Sequence, residues 1–265
     1  MRVVPLPDRT RSSGSARLGA APGTAAPEVS EERALAFLTH GTIEVLGRIP
    51  WASNATLLVD VCHEDLDGLA IYKPRRGERP LWDFPGGTLW RREVAAYHVS
   101  QLLGWALVPP TVGRQDGPFG AGSLQLYVEA DPQVTAFDLL DAQEPALRRV
   151  AAFDVVVNNA DRKAGHTLRA DDGRVWAIDH GVCFHVEPKL RTVLWEFAGE
   201  RLDAMVLEAL GRLAEELGRQ ERPGALRGLL AGEEIAALAA RAERLARTGR
   251  LPHPGPGRPY PWPLV

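Results

Sequence analysis

The residues whose types and spacing could do chemistry lie in one stretch, Asp154-Val-Val-Val-Asn-Asn-Ala-Asp161-Arg162-Lys-Ala-Gly-His166-Thr-Leu168, followed by Ala177-Ile-Asp179-His-Gly181. An apolar segment runs into a polar loop carrying Asp161, and a predicted short hairpin leads to a second aspartate, Asp179, flanked by glycine. Steering a hydroxyl towards a polyphosphate takes one carboxylate to orient the nucleophile and another to hold Mg²⁺ against the phosphate oxygens. Asp161 and Asp179 stand in the right order for those tasks. Upstream, Lys73 ends the apolar run Leu69–Lys73, and Glu93 sits in the first turns of a long predicted helix. Alone, each is the kind of residue usually found in solvent. Together, a strand lysine paired with a helix glutamate can place an ammonium on nucleotide phosphates.

These residues need elements to position them. Ser30 is a fitting N-cap for a helix over 31–40. Residues 42–49 and 55–62 read as strands joined through Pro50–Asn54, and 69–73 as a third strand after a turn at Asp67-Gly68. The stretch 74–87 is rich in Pro, Gly and Arg and reads as a loop. A helix is predicted from Thr88 to Leu103, stopped by Gly104. Further strands are expected near 111–114 and 122–128, and a helix over about 145–157. Val206, Leu210, Leu213 and Leu217 recur at helical spacing in 201–218, as do Ile235, Leu238, Ala242 and Leu245 in 233–247; both are core-packing faces. The first 29 residues lack periodicity and are expected to be disordered. The proline-rich tail 248–265 is expected to be extended, folding back through Tyr260 and Trp262.

Composition narrows the function classes. The chain has 265 residues, enough for one large domain or two small lobes, and a net charge of −3 that gives no overall attraction to nucleic acid. The two cysteines, Cys62 and Cys183, fit no zinc spacing and are expected as reduced core thiols. No apolar run reaches a membrane span and no secretory signal is evident, so no integral membrane segment is expected and the compartment reads as cytoplasmic. The spacing of His166, His180 and His185 matches no zinc motif. Arg75, Arg76, Arg79, Arg91 and Arg92 form a basic cluster that reads as a solvated loop or as a dock for an acidic acceptor. Nothing in the sequence fixes the oligomeric state.

With these residues in view, the chain resembles the protein-kinase-like superfamily, in its phosphatidylinositol-kinase-like and HipA-type or Fam-twenty-type atypical branch. Asp154, Asn159, Asp161 and Arg162 match the family's loop D-x-x-x-x-N-x-D-R, and Ile178-Asp179-His180-Gly181 matches its metal loop. The resemblance spans about residues 42–200. It implies an α+β fold of two lobes: a small antiparallel-sheet N-lobe with one long helix over 30–129, and a mostly helical C-lobe over 130–247. It implies ATP with Mg²⁺ or Mn²⁺ as cofactors, a nucleotide partner, and transfer of the γ-phosphoryl group to an unidentified hydroxyl acceptor. Asp161, Arg162 and Lys73 would be catalytic, and Asp179 and His166 would hold the metal. Lys73, Glu93, Ser53, Asn54, Thr56, Val128 and Glu129 would bind nucleotide, the last two in the adenine hinge. Asp154 and Asn159 would brace the loop. The first hairpin lacks the family's glycine-rich phosphate loop, and position 166 is His where relatives carry Asn. An inactive nucleotide-binding pseudokinase therefore stands as an alternative, and so does an AMP transferase on the same fold, since the polarity of the nucleotide in the cleft depends on geometry.

Overall fold

The computed structural model describes residues 1–4, 29–50, 54–219 and 224–265. The chain forms two compact units, Met1–Gly77 with Pro110–Val128, and Glu78–Pro109 with Glu129–Val265. The expected α+β class is what is found.

The first unit opens with helix α1 (Glu31–His40), where the Ser30 hydroxyl accepts from the Arg33 N–H at 3.3 Å. Strands β1 (Thr42–Arg48), β2 (Leu57–His63), β3 (Leu66–Pro74), β4 (Thr111–Gly117) and β5 (Gly120–Leu126) make one antiparallel sheet in the order β1-β2-β3-β5-β4. One face buries Val59, Val61, Ala70, Tyr72, Leu124 and Leu126 together with Phe37 and Leu38 of α1. Arg114 on β4 is buried and donates to the carbonyls of Leu38 and Gly41, satisfying the C-terminal end of α1.

Two expectations change here. The β2–β3 turn lies at Glu64-Asp65, with Glu64 at φ 52° and His63 opposite Leu66, so Asp67-Gly68 falls inside β3. The glycine serves a close approach, because a Cβ at Gly68 would collide with the Val3 side chain. Val3 belongs to an N-terminal stretch that the composition suggested was disordered. Met1–Val4 instead joins the sheet region, with Leu69 N–H donating to the Val4 carbonyl at 2.8 Å and Val29 N–H to that of Met1 at 2.7 Å. The remainder of that expectation, residues 5–28, lies outside the described residues.

The second unit holds α2 (Leu89–Leu102), α3 (Ala136–Asp141), α4 (Ala146–Val157), the hairpin β6 (Thr167–Arg169) and β7 (Val175–Ala177), α5 (Ala204–Gly218) and α6 (Gly232–Thr248). Helix α2 groups with this helical unit, whereas the sequence suggested the sheet. The reason is charge: α2 buries Arg92 and Glu93, and both find partners in the second unit. Arg92 donates to Glu234 at 2.5 Å and to the Cys183 carbonyl at 2.6 Å, and Glu93 accepts from the His180 N–H at 2.9 Å. Gly104, at φ 68°, follows the end of α2 as expected. Helices α5 and α6 pack through Leu210, Leu213, Leu217, Ile235, Leu238 and Leu245. The tail folds back through main-chain carbonyls rather than through its rings. Pro259 accepts from the Thr192 N–H and from Trp195 Nε1, and Leu264 from the Ala164 N–H, while Trp262 stays 74% exposed. Among the described residues, no helix is long and apolar enough to cross a membrane.

Leu210 is fully enclosed, so Leu210→Ala removes buried contacts and leaves a cavity. The expected loss is about 2–5 kcal/mol, read as a lower urea midpoint at unchanged m-value.

Candidate active site

Helix α4 delivers the loop. Its last turn buries Phe153, Asp154, Val156 and Val157 and ends at Asn158, which adopts the left-handed conformation at φ 54°. Asparagine tolerates that conformation better than most residues. The Asn158 side chain then holds the downstream segment, donating to the carbonyls of His185 and Glu187 and accepting from the Lys189 N–H. The polar turn is fastened locally and at long range. Asn159 donates to Asp154 at 3.0 Å and accepts from the Asp161 N–H at 2.9 Å. The Ala160 N–H donates to the Val182 carbonyl at 3.1 Å, and the Arg191 N–H to the Asn159 carbonyl at 2.9 Å.

Beneath the loop lies a fully enclosed ion pair. Arg162 grips Asp154 through Nε and Nη2 at 2.9–3.1 Å, both side chains being 0% exposed. Its Nη1 donates to the carbonyls of His166 at 2.9 Å and Ile178 at 2.8 Å, and its Nη2 meets His180 Nε2 at 2.7 Å. Arg162 therefore has a carboxylate as its charged partner. Enclosed as it is, its guanidinium cannot reach a phosphate, and its part is to position the loop rather than to touch reactants. Because arginine only donates, His180 must accept at Nε2 and carry its proton on Nδ1.

Three of the expected site residues converge. His166 Nε2 lies 3.3 Å from Asp179 Oδ2, and His166 Nδ1 lies 3.1 Å from the Asp161 carbonyl. Asp179 itself sits in the left-handed region at φ 60°, at the end of the β6–β7 hairpin. Lys163 brings its ammonium to 3.6 Å from Asp161 Oδ2. Burial, helped by the Asp179 charge and opposed by Lys163 and Arg191, pushes the Asp161 carboxyl up to about 6.

Glu93 is buried against the Ile178–Gly181 loop, accepting from the His180 N–H, with Gly181 beside its other oxygen. The remaining expected nucleotide contacts belong elsewhere in the chain. Lys73 is on β3 opposite Ser123, Thr56 is buried just before β2 and its carbonyl accepts from the Ile49 N–H, and Asn54 lies in the bend before it. Val128 closes the first unit and Glu129 opens the second segment of the other. Ser53 lies outside the described residues. Two of the three histidines weighed as a cluster are used otherwise. His180 serves Arg162, and His185 packs edge-on against Phe84 while its Nδ1 accepts from the Glu187 N–H. Among the described residues, no group of three or more His, Cys, Asp and Glu forms a metal cage.

The Asp179–His166 pair nonetheless suits a divalent cation shared with a ligand. His166 Nδ1 lies 3.1 Å from the Asp161 carbonyl and 3.5 Å from the Lys163 main-chain nitrogen, and its Nε2 faces Asp179 Oδ2 at 3.3 Å. Metal-bound imidazoles commonly donate their other N–H to a carbonyl, and the Asp161 carbonyl stands beside Nδ1. Mg²⁺ takes one or two protein carboxylates and completes its shell with phosphate and water, while an imidazole ligand tilts preference towards Mn²⁺.

Sequence reasoning missed two cations, Lys163 and Arg191. Lys163 had a signal, standing two places after Asp161 in the same loop. Arg191 had none, since only the main-chain bonds to Asn159 and Arg162 bring it beside Asp161.

Comparison with known proteins adds a relationship. The chain is 45% identical over 267 aligned positions to Protein Rv2133c of Mycobacterium tuberculosis, covering 86% of this chain and 94% of that protein. It belongs to the family of that mycobacterial protein. A shorter match, 33% identical over 117 positions, covers 35% of this chain and 20% of phosphatidylinositol 4-kinase gamma 4 of rice, Oryza sativa subsp. japonica. The crystal structure of the Helicobacter pylori proinflammatory kinase CtkA is similar at a TM-score of 0.46 and 12% identity, over 81% of this chain and 94% of that one. No family model matches the chain.

Two outcomes test the site's construction. Asp154→Ala strands a buried guanidinium and is expected to cost about 3–5 kcal/mol in denaturant unfolding, more than Asp154→Ala made together with Arg162→Met. Asp161 has a raised folded pKa, so folding favours its protonated form: the charged form is penalised as pH rises through 6, and the penalty is absent below the unfolded value near 4. Asp161→Asn should therefore raise the melting temperature at pH 7.5 and leave it unchanged near pH 4. The carboxylate is 34% exposed and screened, so the gain is expected at only about 1 kcal/mol.

Proposed function

We propose that this chain is an atypical kinase: an ATP- and divalent-metal-dependent phosphotransferase that moves the γ-phosphoryl group to a hydroxyl, using cytoplasmic ATP. The observation that carries the reading is the convergence of Asp161, Lys163, His166 and Asp179 on one loop system. The loop order D-x-x-x-x-N-x-D-R with its downstream aspartate supports it, as does the partial match to a protein named a phosphatidylinositol 4-kinase.

In this reading Asp161 accepts a hydrogen bond from the acceptor hydroxyl and aims its oxygen at the γ-phosphorus. The new O–P bond forms as the bond to the β,γ-bridging oxygen breaks. ADP leaves, and the hydroxyl proton passes to Asp161 and then to solvent. Lys163 stands where negative charge develops on the transferred group, as positioning and charge neutralisation are the main sources of rate in such transfers. A divalent cation held by Asp179 and His166 supplies further neutralisation of the phosphates when bound. Arg162, Asp154 and Asn159 hold the geometry, and Glu93 anchors α2 to the metal loop. Lys73 would contact the α/β-phosphates, with Asn54, Thr56 and Ser53 covering the phosphates and Val128 and Glu129 hydrogen-bonding adenine.

The expected result is metal-dependent ATP turnover that Asp161→Asn and Asp179→Asn each reduce by at least about a hundredfold. Because the base must be ionised, the rate should climb with pH around an apparent value near 6. Full turnover in both variants would remove the proposal. Nucleotide binding with no transfer to any acceptor would instead mark a pseudokinase, and an adenylyl adduct by mass spectrometry an AMP transferase. Replacing Mg²⁺ by Mn²⁺ should raise metal affinity in the native protein and much less in His166→Asn, measured by calorimetry.

A further inference from the structure

Arg191 occupies an unusual position for a cation. Its N–H donates to the Asn159 carbonyl at 2.9 Å, and its carbonyl accepts from the Arg162 N–H at 3.0 Å. It is thus fastened to the residues on either side of the Ala160-Asp161 pair. The next residue, Thr192, pairs with Arg162 as a parallel bridge and donates its N–H to the Pro259 carbonyl. The backbone carrying Arg191 is therefore held from two directions. Its side chain is half-buried, and among the described residues its guanidinium makes no hydrogen bond or ion pair. Its charge nevertheless reaches the Asp161 carboxylate.

A partly desolvated guanidinium with its donors unspent has lost hydration without gaining a partner, which is unfavourable in the absence of an anion. Its planar fork matches phosphate and carboxylate oxygens two at a time. The cation-binding pair Asp179–His166 is tied to the loop through the Arg162 Nη1 bonds to the His166 and Ile178 carbonyls. Arg191 is tied instead through the main chain of Asn159 and Arg162, on the segment that Asn158 staples down at 185–189. Arg191 shares the Asp161 charge with Lys163 and is no part of the Asp179–His166 pair.

We propose that Arg191 forms an anion subsite for the acceptor, so that the hydroxyl oriented by Asp161 belongs to a molecule carrying a phosphate or carboxylate group close to it. The assignment of the hydroxyl rests on the phosphotransferase reading, but the subsite is testable by binding alone. Neutral polyols should be poor ligands and their phosphorylated or carboxylated counterparts good ones.

The test is calorimetric titration of the full chain, with Mg²⁺ and a non-hydrolysable ATP analogue present, using glycerol against glycerate and glycerol 3-phosphate, and inositol against inositol 1-phosphate. The anionic member of at least one pair should bind about tenfold tighter or more, the worth of one charge-assisted hydrogen bond. Arg191→Gln should abolish that difference and Arg191→Lys keep part of it, while affinity for the ATP analogue stays within about twofold. Unchanged melting temperatures in both variants separate loss of the subsite from loss of the fold. Equal affinity for charged and neutral members throughout overturns the proposal. So does an Arg191→Gln variant that loses affinity for the ATP analogue while keeping its preference for anions, because Arg191 would then serve the nucleotide. An absence of ATP turnover with anion selectivity intact sinks the phosphotransferase reading and leaves the subsite standing.

Discussion

The enclosed Asp154–Arg162 pair is the constraint on which the candidate site depends. Taking both charges out of water is costly, and the cost is offset only by near-ideal geometry and full use of the remaining donors. Here the guanidinium spends them on Asp154, on the carbonyls of His166 and Ile178, and on His180. One side chain thereby fixes the end of α4, the turn bearing His166 and the end of the hairpin bearing Asp179. Three separate pieces of chain meet because each leaves a polar group that this cation satisfies.

That arrangement creates the electrostatic tension above it. Asp161 is partly desolvated and feels the Asp179 carboxylate, so its charged form is penalised. Lys163 and Arg191 work in the opposite direction without cancelling the effect. A carboxylate poised near neutrality beside a second carboxylate and two cations is the kind of environment found where proton transfer or polyphosphate binding occurs. The left-handed backbone of Asp179, at φ 60°, belongs to the same pattern of local strain held by surrounding bonds.

Helix α2 shows how buried charge decides membership of a packing unit. Its apolar residues would satisfy any greasy surface, since hydrophobic burial is not directional. Arg92 and Glu93 are selective: they need Glu234, the Cys183 carbonyl and the His180 N–H, and these occur together in the helical unit. The helix is thereby coupled to the loop that carries Asp179.

Much of this was legible from sequence. Alternation and helical spacing marked every strand of the main sheet and helices α1, α2, α4, α5 and α6 to within a few residues, because amphipathic periodicity is a local property of the chain. The order Asp154, Asn159, Asp161, Arg162, Asp179 likewise pointed to the candidate site. What tertiary structure alone decided was where partners lie. Asp67-Gly68 reads as a turn until Val3 is found packed on the glycine, and the order of residues does not show Arg162 sealed against Asp154. Arg191 carried no signal at all, being joined to Asn159 and Arg162, on either side of Ala160-Asp161, by main-chain hydrogen bonds that any residue could make. Sequence determines which groups need partners; the fold chooses among the many that could serve, because that choice is set by distances between residues far apart in the chain.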